Sequence, residues 1–349
     1  NDDGDPKEKR PEVSVLAMLP ETAEAIQSFD RIFKDLDDTD STVAQAKMAD
    51  FISNVFMAKY ESETGDRLPA ASVMTDRPAS LTVQAAYLAD NPNPLGSKDL
   101  FESSGRLPEY DQAHERFHPL FRELLNTFGY YDIFLVDRTG EIIYSVYKET
   151  DFGTNLLTGP FKNSGLADAV RSSLESRSSN AFAFADFSTY IPSYDAPAAF
   201  VSKPVYAGET LVGVVAVQLP IDEIDEVMTG GRRWRDEGFG SSGEAYLVGP
   251  DRLMRSGARA LIEDSDAFVR AGRARGVPAD TLREMERLGR TVLLERVENE
   301  AVISALEGQS GSAEVLSYDG APSVASFESL PVFDQTWALI AEVDRSEAY

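Results

Sequence analysis

Two stretches decide the fold: YYDIFLVDRTGEIIYSVY at residues 130–147 and AAFVSKPVYAGETLVGVVAVQLP at residues 198–220. Each contains two runs rich in β-branched and aromatic residues on either side of a short turn that contains glycine. This pattern is typical of β-hairpins. A segment with helical periodicity, residues 164–175, lies between the two hairpins. The sequence therefore predicts an antiparallel sheet with one face covered.

The same pattern recurs in the C-terminal part of the chain. YLVGPDRLMRS at residues 246–256 is similar to FLVDRTGEIIYS at residues 134–145, and FESLPVFDQTWALIAEVDR at residues 327–345 is similar to the second hairpin. Helical periodicity again fills the space between them, over residues 264–306. Two copies of one supersecondary unit in the same order indicate two tandem modules.

The remaining periodicities complete the predicted domain organisation. Apolar residues recur at helical spacing from residue 13 to about residue 60, with an interruption at residues 37–41. The predicted segments are a disordered lead-in (1–12), an N-terminal helical region with a long helix (13–129), a first module (130–220), a connecting helix with a glycine-rich joint (221–243) and a second module (244–349).

Composition excludes several classes of function. The formal net charge of −26 opposes binding to a nucleic-acid backbone, so no nucleic-acid partner is expected. The absence of cysteine rules out disulfides and thiolate chemistry. No apolar run approaches the roughly 20 residues of a membrane span. Because the chain begins with Asn1 rather than methionine, we expect an excised segment with its flanking parts removed.

The string His114-Glu115-Arg116-Phe117-His118 matches the zinc-protease pattern H-E-x-x-H. Two histidines four residues apart share a helix face and can bind zinc, with the glutamate as the base. Pro119 follows directly, however, and a residue before proline is pushed out of the α region, which is expected to swing His118 away. We therefore expect no metal, no cofactor and no catalysis in this segment, and keep a zinc-dependent hydrolase as an alternative function.

Two other acidic or glycine-rich strings have structural explanations. The GFGSSG string at residues 238–243 spells the dinucleotide fingerprint, but a helix precedes it and a strand follows, the reverse of the order that the fingerprint requires. It is interpreted as a joint. The aspartates at residues 35–40 lack the glycine and the distal glutamate of a calcium loop and are interpreted as helix caps.

A cluster of aromatic and polar residues in the first module is the candidate ligand site. Aromatic walls with a few directed hydrogen-bonding groups are typical of small-molecule pockets. Asp186 and Gln218 are the expected hydrogen-bonding groups, and the alternative is that the aromatic residues fill a half-buried sheet face. The eight candidate ligand-binding residues are Tyr144, Tyr147, Phe161, Asp186, Tyr190, Ser193, Tyr194 and Gln218.

The chain from about residue 13 to residue 348 resembles the double Cache (dCache) sensor domains of bacterial transmembrane receptors. The segments that carry the resemblance are FHPLFRELLNTFGYYDIFLVD, VYKETDFGTNLLTGPF, YIPSYDAPAAFVSKPV and GSSGEAYLVGPDRLMRS. The resemblance implies an α+β fold in which a long N-terminal helix is followed by two tandem PAS-like (Cache) modules. Each module would be an antiparallel sheet with flanking helices.

The same resemblance implies a function in signal transduction. Such domains are periplasmic parts of inner-membrane receptors, including chemotaxis receptors, histidine kinases, nucleotide cyclases and phosphatases. The expected partner is a small-molecule ligand in the membrane-distal first module. A homodimer through the N-terminal helix and anchoring by flanking membrane helices are further expectations. A structural or partner-binding ectodomain without a small ligand is a third alternative.

The amino-acid-binding branch of this family carries an Arg-x-Trp-Tyr motif, a Tyr-x-Asp motif and a final acid on the last strand. Here residues 159–162 lack both the arginine and the tryptophan, residues 184–186 keep only Asp186, and Gln218 stands in place of the final acid. Without an arginine to pair with a ligand carboxylate, the sequence predicts that the ligand is not a standard α-amino acid.

Overall fold

A computed structural model describes residues 12–349, and these residues divide into two compact units. Unit 1 ends at Pro220, and unit 2 is Ile221–Tyr349. Residues 1–11 of the predicted disordered lead-in lie outside the described residues. No helix among residues 12–349 has the length and apolar character needed to cross a membrane.

Unit 1 is built on a five-stranded antiparallel sheet with the order β2-β1-β5-β4-β3. Strand β1 is buried along its whole length and β5 over residues 213–218, which explains their apolar runs. The two predicted hairpins are both present and become neighbours through β1 and β5. The strands are β1 (Asp132–Asp137), β2 (Ile142–Ser145), β3 (Ala183–Tyr190), β4 (Ala196–Ala207) and β5 (Thr210–Leu219).

Most helices of unit 1 precede the strands of the sheet in the sequence. They are α1 (Val13–Met18), α2 (Pro20–Leu36), α3 (Thr42–Phe51), α4 (Met57–Thr64), α5 (Pro78–Gln84), α6 (Pro108–Phe128) and α7 (Gly165–Glu175). Single π-helical turns, Ile52–Phe56 and Ala85–Ala89, join α3 to α4 and extend α5. The serine before α7 caps it, since Ser164 Oγ accepts a hydrogen bond from the Ala167 amide at 3.2 Å.

The predicted long N-terminal helix is divided into several helices. Pro20 begins a new helix after α1, and the acidic interruption at residues 37–41 separates α2 from α3. The apolar stripe of α2, which includes Ile26, Phe29 and Phe33, is fully buried in the core of unit 1. This stripe is therefore packed against its own module and is not available as a dimer surface.

Helix α6 continues through Pro119, so the prediction that this proline swings His118 away is wrong. The rings of His114 and His118 are stacked with their centroids 4.2 Å apart. Proline leaves the carbonyl four residues earlier without its helical donor. Here that residue is Glu115, and Glu115 and Pro119 are both on the exposed face, where water can replace the lost hydrogen bond.

Unit 2 repeats the arrangement with a four-stranded antiparallel sheet of order β6-β9-β8-β7. Its strands are β6 (Glu244–Val248), β7 (Gly311–Leu316), β8 (Pro322–Val332) and β9 (Gln335–Asp344). Its helices are α8 (Ile221–Thr229), α9 (Arg259–Glu263), α10 (Ser265–Arg275), α11 (Ala279–Leu288), α12 (Glu300–Leu306) and α13 (Arg345–Ala348). The predicted first hairpin of this module is reduced to a single bridge between Val248 and Met254. Two antiparallel sheets with flanking helices confirm the predicted α+β class.

Replacing Gly213 with alanine should destabilise unit 1. Gly213 pairs with Asp137 across β5 and β1, and a Cβ there would overlap the carbonyl oxygen of Val136 and press on Ile26 of α2. Overpacking of this kind costs about 1–3 kcal/mol. Urea unfolding followed by circular dichroism measures the loss. Thr210→Ala, at an exposed position of the same strand, is the matched control and should change stability little.

Candidate functional site

Four ionisable residues come together at one end of the β1–β2 hairpin in unit 1. Asp132 is the first residue of β1, and Lys148, Glu149 and Asp151 lie in the turn that follows β2. Asp132, Lys148 and Asp151 are fully buried, and Glu149 is half-buried. We call Asp132, Glu149 and Asp151 the acidic cluster. Buried charged groups are costly unless they are paired, so such a group requires a physical explanation.

Asp132 is held in place by the backbone. Its Oδ1 accepts hydrogen bonds from the amides of Ile133 at 2.7 Å, Val146 at 2.9 Å and Tyr147 at 3.1 Å. Burial, together with the nearby Asp151, raises the pKa of Asp132 to about 8 in spite of these donors. The side chain thus fixes the end of the hairpin and titrates near neutral pH.

Glu149 and Asp151 accept hydrogen bonds from hydroxyl groups at the end of β3, just after β3 and just before β1. The Tyr190 hydroxyl donates to Asp151 Oδ2 at 2.5 Å, and the hydroxyls of Ser193 and Tyr131 donate to Glu149 at 3.0 Å and 2.9 Å. Burial raises the pKa of Asp151 to about 6 and raises the pKa of Glu149 well above its usual range, Asp151 and Asp132 adding to the shift of Glu149.

Lys148 is the cation of this site. Its Nζ donates to the carbonyl oxygens of Ser145 at 3.2 Å and Val146 at 3.1 Å. Burial lowers the pKa of Lys148 to about 7, and the attraction of Asp132 opposes that shift. With every group ionised, three carboxylates would lie beside the Lys148 ammonium. The raised pKa values of the three carboxyl groups show that, without a further cation, they favour holding protons.

Three buried acceptor oxygens at this site have no hydrogen-bond partner among the described residues: Asp132 Oδ2, Asp151 Oδ1 and Gln218 Oε1. Asp132 and Gln218 are directly opposite each other on β1 and β5. Buried polar atoms are normally hydrogen-bonded, and an unpaired one costs about 1–3 kcal/mol. A hydrogen-bond donor with positive charge would satisfy these acceptors and would favour the ionised form of the carboxyl groups beside it.

A small cavity adjoins the acidic cluster. It measures about 10 Å³, the space of a single water molecule, and is lined by Phe56, Leu95, Gly96, Lys98, Tyr147, Lys148, Glu149, Thr150, Pro192 and Tyr194. The aromatic side of the cavity is organised by Tyr194, whose ring stacks on Phe56 at 5.4 Å. A ligand larger than water needs the segments at residues 95–98 and 192–194 to move apart.

Backbone strain is concentrated at the same place. Within the described part of unit 1, the non-glycine residues with positive φ are Lys148 (55°), Tyr194 (57°) and Asp195 (56°). The Asp195 carboxylate is held by a hydrogen bond from the Tyr60 hydroxyl of α4. Left-handed conformations of such residues cost energy and occur preferentially at functional sites. The strain is therefore a second observation, independent of charge, that marks this site.

The structure brings some of the sequence-predicted residues together and separates others. Tyr190, Ser193 and Gln218 contact or adjoin the acidic cluster, and Tyr147 and Tyr194 line the cavity. Phe161 packs behind Tyr190, with ring centroids 6.4 Å apart. Tyr144 faces the helical core, where it stacks on Phe29 at 5.3 Å. Asp186 is half-buried on β3, accepts from the Phe187 amide at 2.7 Å and is not a lining residue of the cavity.

Sequence reasoning missed Asp132, Lys148, Glu149 and Asp151. The signal was present, because Asp132 is an acid at the start of an otherwise apolar run, YYDIFLVD. Lys148, Glu149 and Asp151 belong to a turn with no periodicity, so nothing in the local pattern showed that they are buried. Only the pairing of β1 with β5 places Asp132 opposite Gln218.

The two histidines are neutral and serve as core side chains. Burial lowers the pKa of His118 to about 3 and that of His114 well below its usual range. A carbonyl oxygen can only accept, so His118 Nε2 donates to Asp99 O at 2.7 Å while the Tyr144 hydroxyl donates to Nδ1 at 2.7 Å. His114 Nδ1 donates to Glu102 O at 2.8 Å, and Glu115 is exposed. Of their four ring nitrogens only His114 Nε2 has no hydrogen-bond partner among the described residues, so the two histidines do not form a zinc centre.

Similarity to known proteins is found at the level of solved structures. No protein-family model matches the chain, and no curated protein matches it. Similar solved structures include the ligand-binding domain of the Pseudomonas aeruginosa PAO1 amino acid chemoreceptor PctB in complex with L-Arg (16% identity, TM-score 0.41, 69% of this chain and 74% of that chain). Another is the V. cholerae histidine kinase DctB sensor domain (13% identity, TM-score 0.39, 86% of this chain and 98% of that chain).

A third is the ligand-binding domain of the Pseudomonas fluorescens chemoreceptor CtaA in complex with L-serine (15% identity, TM-score 0.39, 67% of this chain and 80% of that chain). These structures are sensor domains, and at these identities and TM-scores the likeness concerns general architecture alone. The prediction against an α-amino acid ligand is wrong as an exclusion, because the amino-acid complexes of PctB and CtaA contradict it.

Removing the Tyr190 hydroxyl should destabilise the chain more at neutral pH than in acid. Tyr190→Phe takes away the donor that favours ionised Asp151, so the folded-state pKa of Asp151 rises further above about 6. A group whose pKa is higher in the folded chain than in the unfolded chain stabilises the fold at low pH. That stabilisation is lost as the pH rises through the folded-state pKa. We expect a loss of about 1–3 kcal/mol at pH 8 and less at pH 5, measured by urea unfolding.

Tyr131→Phe is the matched control, since it removes a hydroxyl from Glu149 at a residue that is 37% exposed. Its effect should be smaller. An equal loss for Tyr190→Phe at both pH values would show that Asp151 does not titrate between pH 5 and pH 8 in the folded chain.

Proposed function

We propose that this chain is the extracytoplasmic ligand-sensing segment of a bacterial signal-transduction receptor, with the ligand site at the acidic cluster of unit 1. The observation that carries the proposal is the group of buried, unpartnered acceptors beside a cavity at a strained turn. The double Cache resemblance of the sequence supports the sensory role, the periplasmic location and membrane anchoring by flanking helices. A homodimer remains a prediction. The apolar stripe of α2 is buried within unit 1 and cannot form the dimer contact.

The ligand that fits this site carries a cationic amino group. An ammonium has three donors and a positive charge, which match the three free oxygens of Asp132, Asp151 and Gln218. Hydrogen bonds between ionised partners are the stronger class. The aromatic rings of Tyr147 and Tyr194 at the cavity would contact the rest of a small ligand. Amino acids and simple amines both belong to this class.

Ligand binding would act by shifting an equilibrium between a closed and an open site. A ligand changes such an equilibrium only through different affinities for the two states. Gln218 is near the end of β5, and Ile221 begins unit 2 along the chain. A movement of β5 on binding is therefore carried covalently into the second unit, which is the proposed route to an output domain.

Isothermal titration calorimetry tests the ligand class directly. The compounds are α-amino acids, ω-amino acids and small primary and quaternary amines, each paired with the corresponding compound that lacks nitrogen. We expect binding by at least one amine and none by its nitrogen-free partner. Binding only by nitrogen-free acids would reject the amine, and binding by nothing, with a folded chain, would reject the sensing role of this site.

Asp151→Asn should weaken binding of that amine by about tenfold or more, because it removes a charged acceptor. Asp168→Asn is the matched control: Asp168 is an exposed residue of α7, and its loss should leave the dissociation constant unchanged. Circular dichroism establishes that both variants are folded. Equal affinity for Asp151→Asn and the unaltered chain would place the ligand elsewhere.

Zinc and a chelator provide the test of the hydrolase alternative. Since His118 has both ring nitrogens engaged and Glu115 is exposed, we expect neither zinc nor chelator to change the thermal midpoint. A rise with zinc that His114→Phe abolishes would favour the hydrolase instead. A ligand that binds the folded state selectively must raise the midpoint with dose, so this readout is sensitive to weak binding.

A further inference from the structure

Unit 2 contains a buried pair of carboxyl groups at the position that corresponds to the Asp132–Gln218 pair of unit 1. Glu244 is the first residue of β6, and it is directly opposite Glu342 on β9. In unit 1, Asp132 is the first residue of β1 and is directly opposite Gln218 on β5. Glu244 and Glu342 are 5% and 7% exposed, so both carboxyl groups are inside the module.

The two sites differ in how their oxygens are satisfied. Glu244 accepts from the Tyr318 hydroxyl and from the Arg259 amide at 2.9 Å, and Glu342 accepts from the Ser317 hydroxyl and from the Tyr246 hydroxyl at 3.1 Å. Every carboxyl oxygen of the pair therefore has a protein donor. No acceptor is left over for a ligand, in contrast to the acidic cluster of unit 1.

The donors are neutral, so the pair has no cation to balance it. The guanidinium of Arg259 is directed to the Gly243 carbonyl at 2.6 Å and to Glu263 at 3.0 Å. The other ionisable groups that act on the pair are acidic: Asp319 affects both glutamates and Asp344 affects Glu342. Like charges directly opposite each other on neighbouring strands are destabilising. Two buried carboxylates in this setting favour holding a proton.

We propose that the Glu244–Glu342 pair is a proton-binding site, through which unit 2 responds to pH near neutrality. Burial raises the pKa of Glu244 to about 8 and that of Glu342 to about 7, with Asp319 adding to both shifts. The pair releases its protons in steps that belong to both residues. At pH 6 the pair is protonated, and by pH 9 it is charged and the ends of β6 and β9 repel each other.

The composition of unit 2 makes this site easy to observe. Residues 221–349 contain neither histidine nor lysine, so no side chain there has an ordinary pKa between about 5 and 8. Both tryptophans of the chain, Trp234 and Trp337, are in unit 2 and are buried. Tryptophan fluorescence of the intact chain therefore reports on this unit.

Infrared difference spectra between pH 6 and pH 9 test the proposal on the intact chain. We expect a carbonyl stretch of a protonated carboxylic acid at pH 6 that is lost by pH 9. The double variant Glu244→Gln, Glu342→Gln should lack the part of this band that belongs to unit 2. Glu286→Gln, at an exposed position of α11, should keep the full band. Identical spectra for the unaltered chain and the double variant would overturn the proposal.

Stability supplies a second measurement. A folded-state pKa above the unfolded value gives stabilisation that is complete in acid and is lost as the pH rises through the folded-state pKa. The urea midpoint by tryptophan fluorescence should fall between pH 6 and pH 9, and fall less steeply in the double variant. Equal slopes in the two proteins would count against the site.

Tyr318→Phe keeps the test decisive if the double variant does not fold. It removes the hydroxyl donor that lowers the pKa of Glu244, so the loss of the infrared band should move upward by about one pH unit. A band that titrates at the same pH in Tyr318→Phe would reject Glu244 as a member of the proton site.

Discussion

The pairing of the first strand of each module with its last strand is the constraint on which the sites depend. Because strand neighbours β1 and β5 are far apart in sequence, their antiparallel register alone decides that Asp132 faces Gln218. The same register in unit 2 decides that Glu244 faces Glu342. A slip of one residue would turn these side chains to the opposite face. The apolar runs that fix the register therefore also determine which polar side chains face each other.

The two modules use one position in opposite ways. In unit 1, main-chain amides hold one oxygen of Asp132 and leave the other free beside further free acceptors. In unit 2, hydroxyl groups from Tyr246, Ser317 and Tyr318 occupy the corresponding carboxyl groups. The arrangement in unit 1 leaves acceptors without donors and suits an amine. In unit 2 every carboxyl oxygen has a protein donor, and the proposed proton reduces the charge of the pair. The corresponding position thus has unpartnered acceptors in unit 1 and has a protein donor for every carboxyl oxygen in unit 2.

Much of the fold could be predicted from the sequence because strands and helices carry local periodicity. The hairpins, the repeat and α6 followed from it. The effect of Pro119 could not, because whether a proline bends a helix depends on whether the freed carbonyl meets water, which is a tertiary property. The acidic cluster was equally out of reach. Lys148, Glu149 and Asp151 form a polar-looking turn, and its burial depends on tertiary contacts such as those of Tyr190 with Asp151 and Ser193 with Glu149.

The tightness of the cavity in unit 1 has a consequence for the proposed sensing role. A space of about 10 Å³ accommodates no amino acid, so the proposed ligand would bind to a minor open population. The observed dissociation constant is then the intrinsic one divided by the open fraction. Changes at Tyr60 or Asp195, which hold the strained turn without lining the cavity, would retune the threshold concentration of the sensor and leave its chemical selectivity intact. The affinity of the proposed site would then be adjusted through the strained turn and not through the residues that contact the ligand.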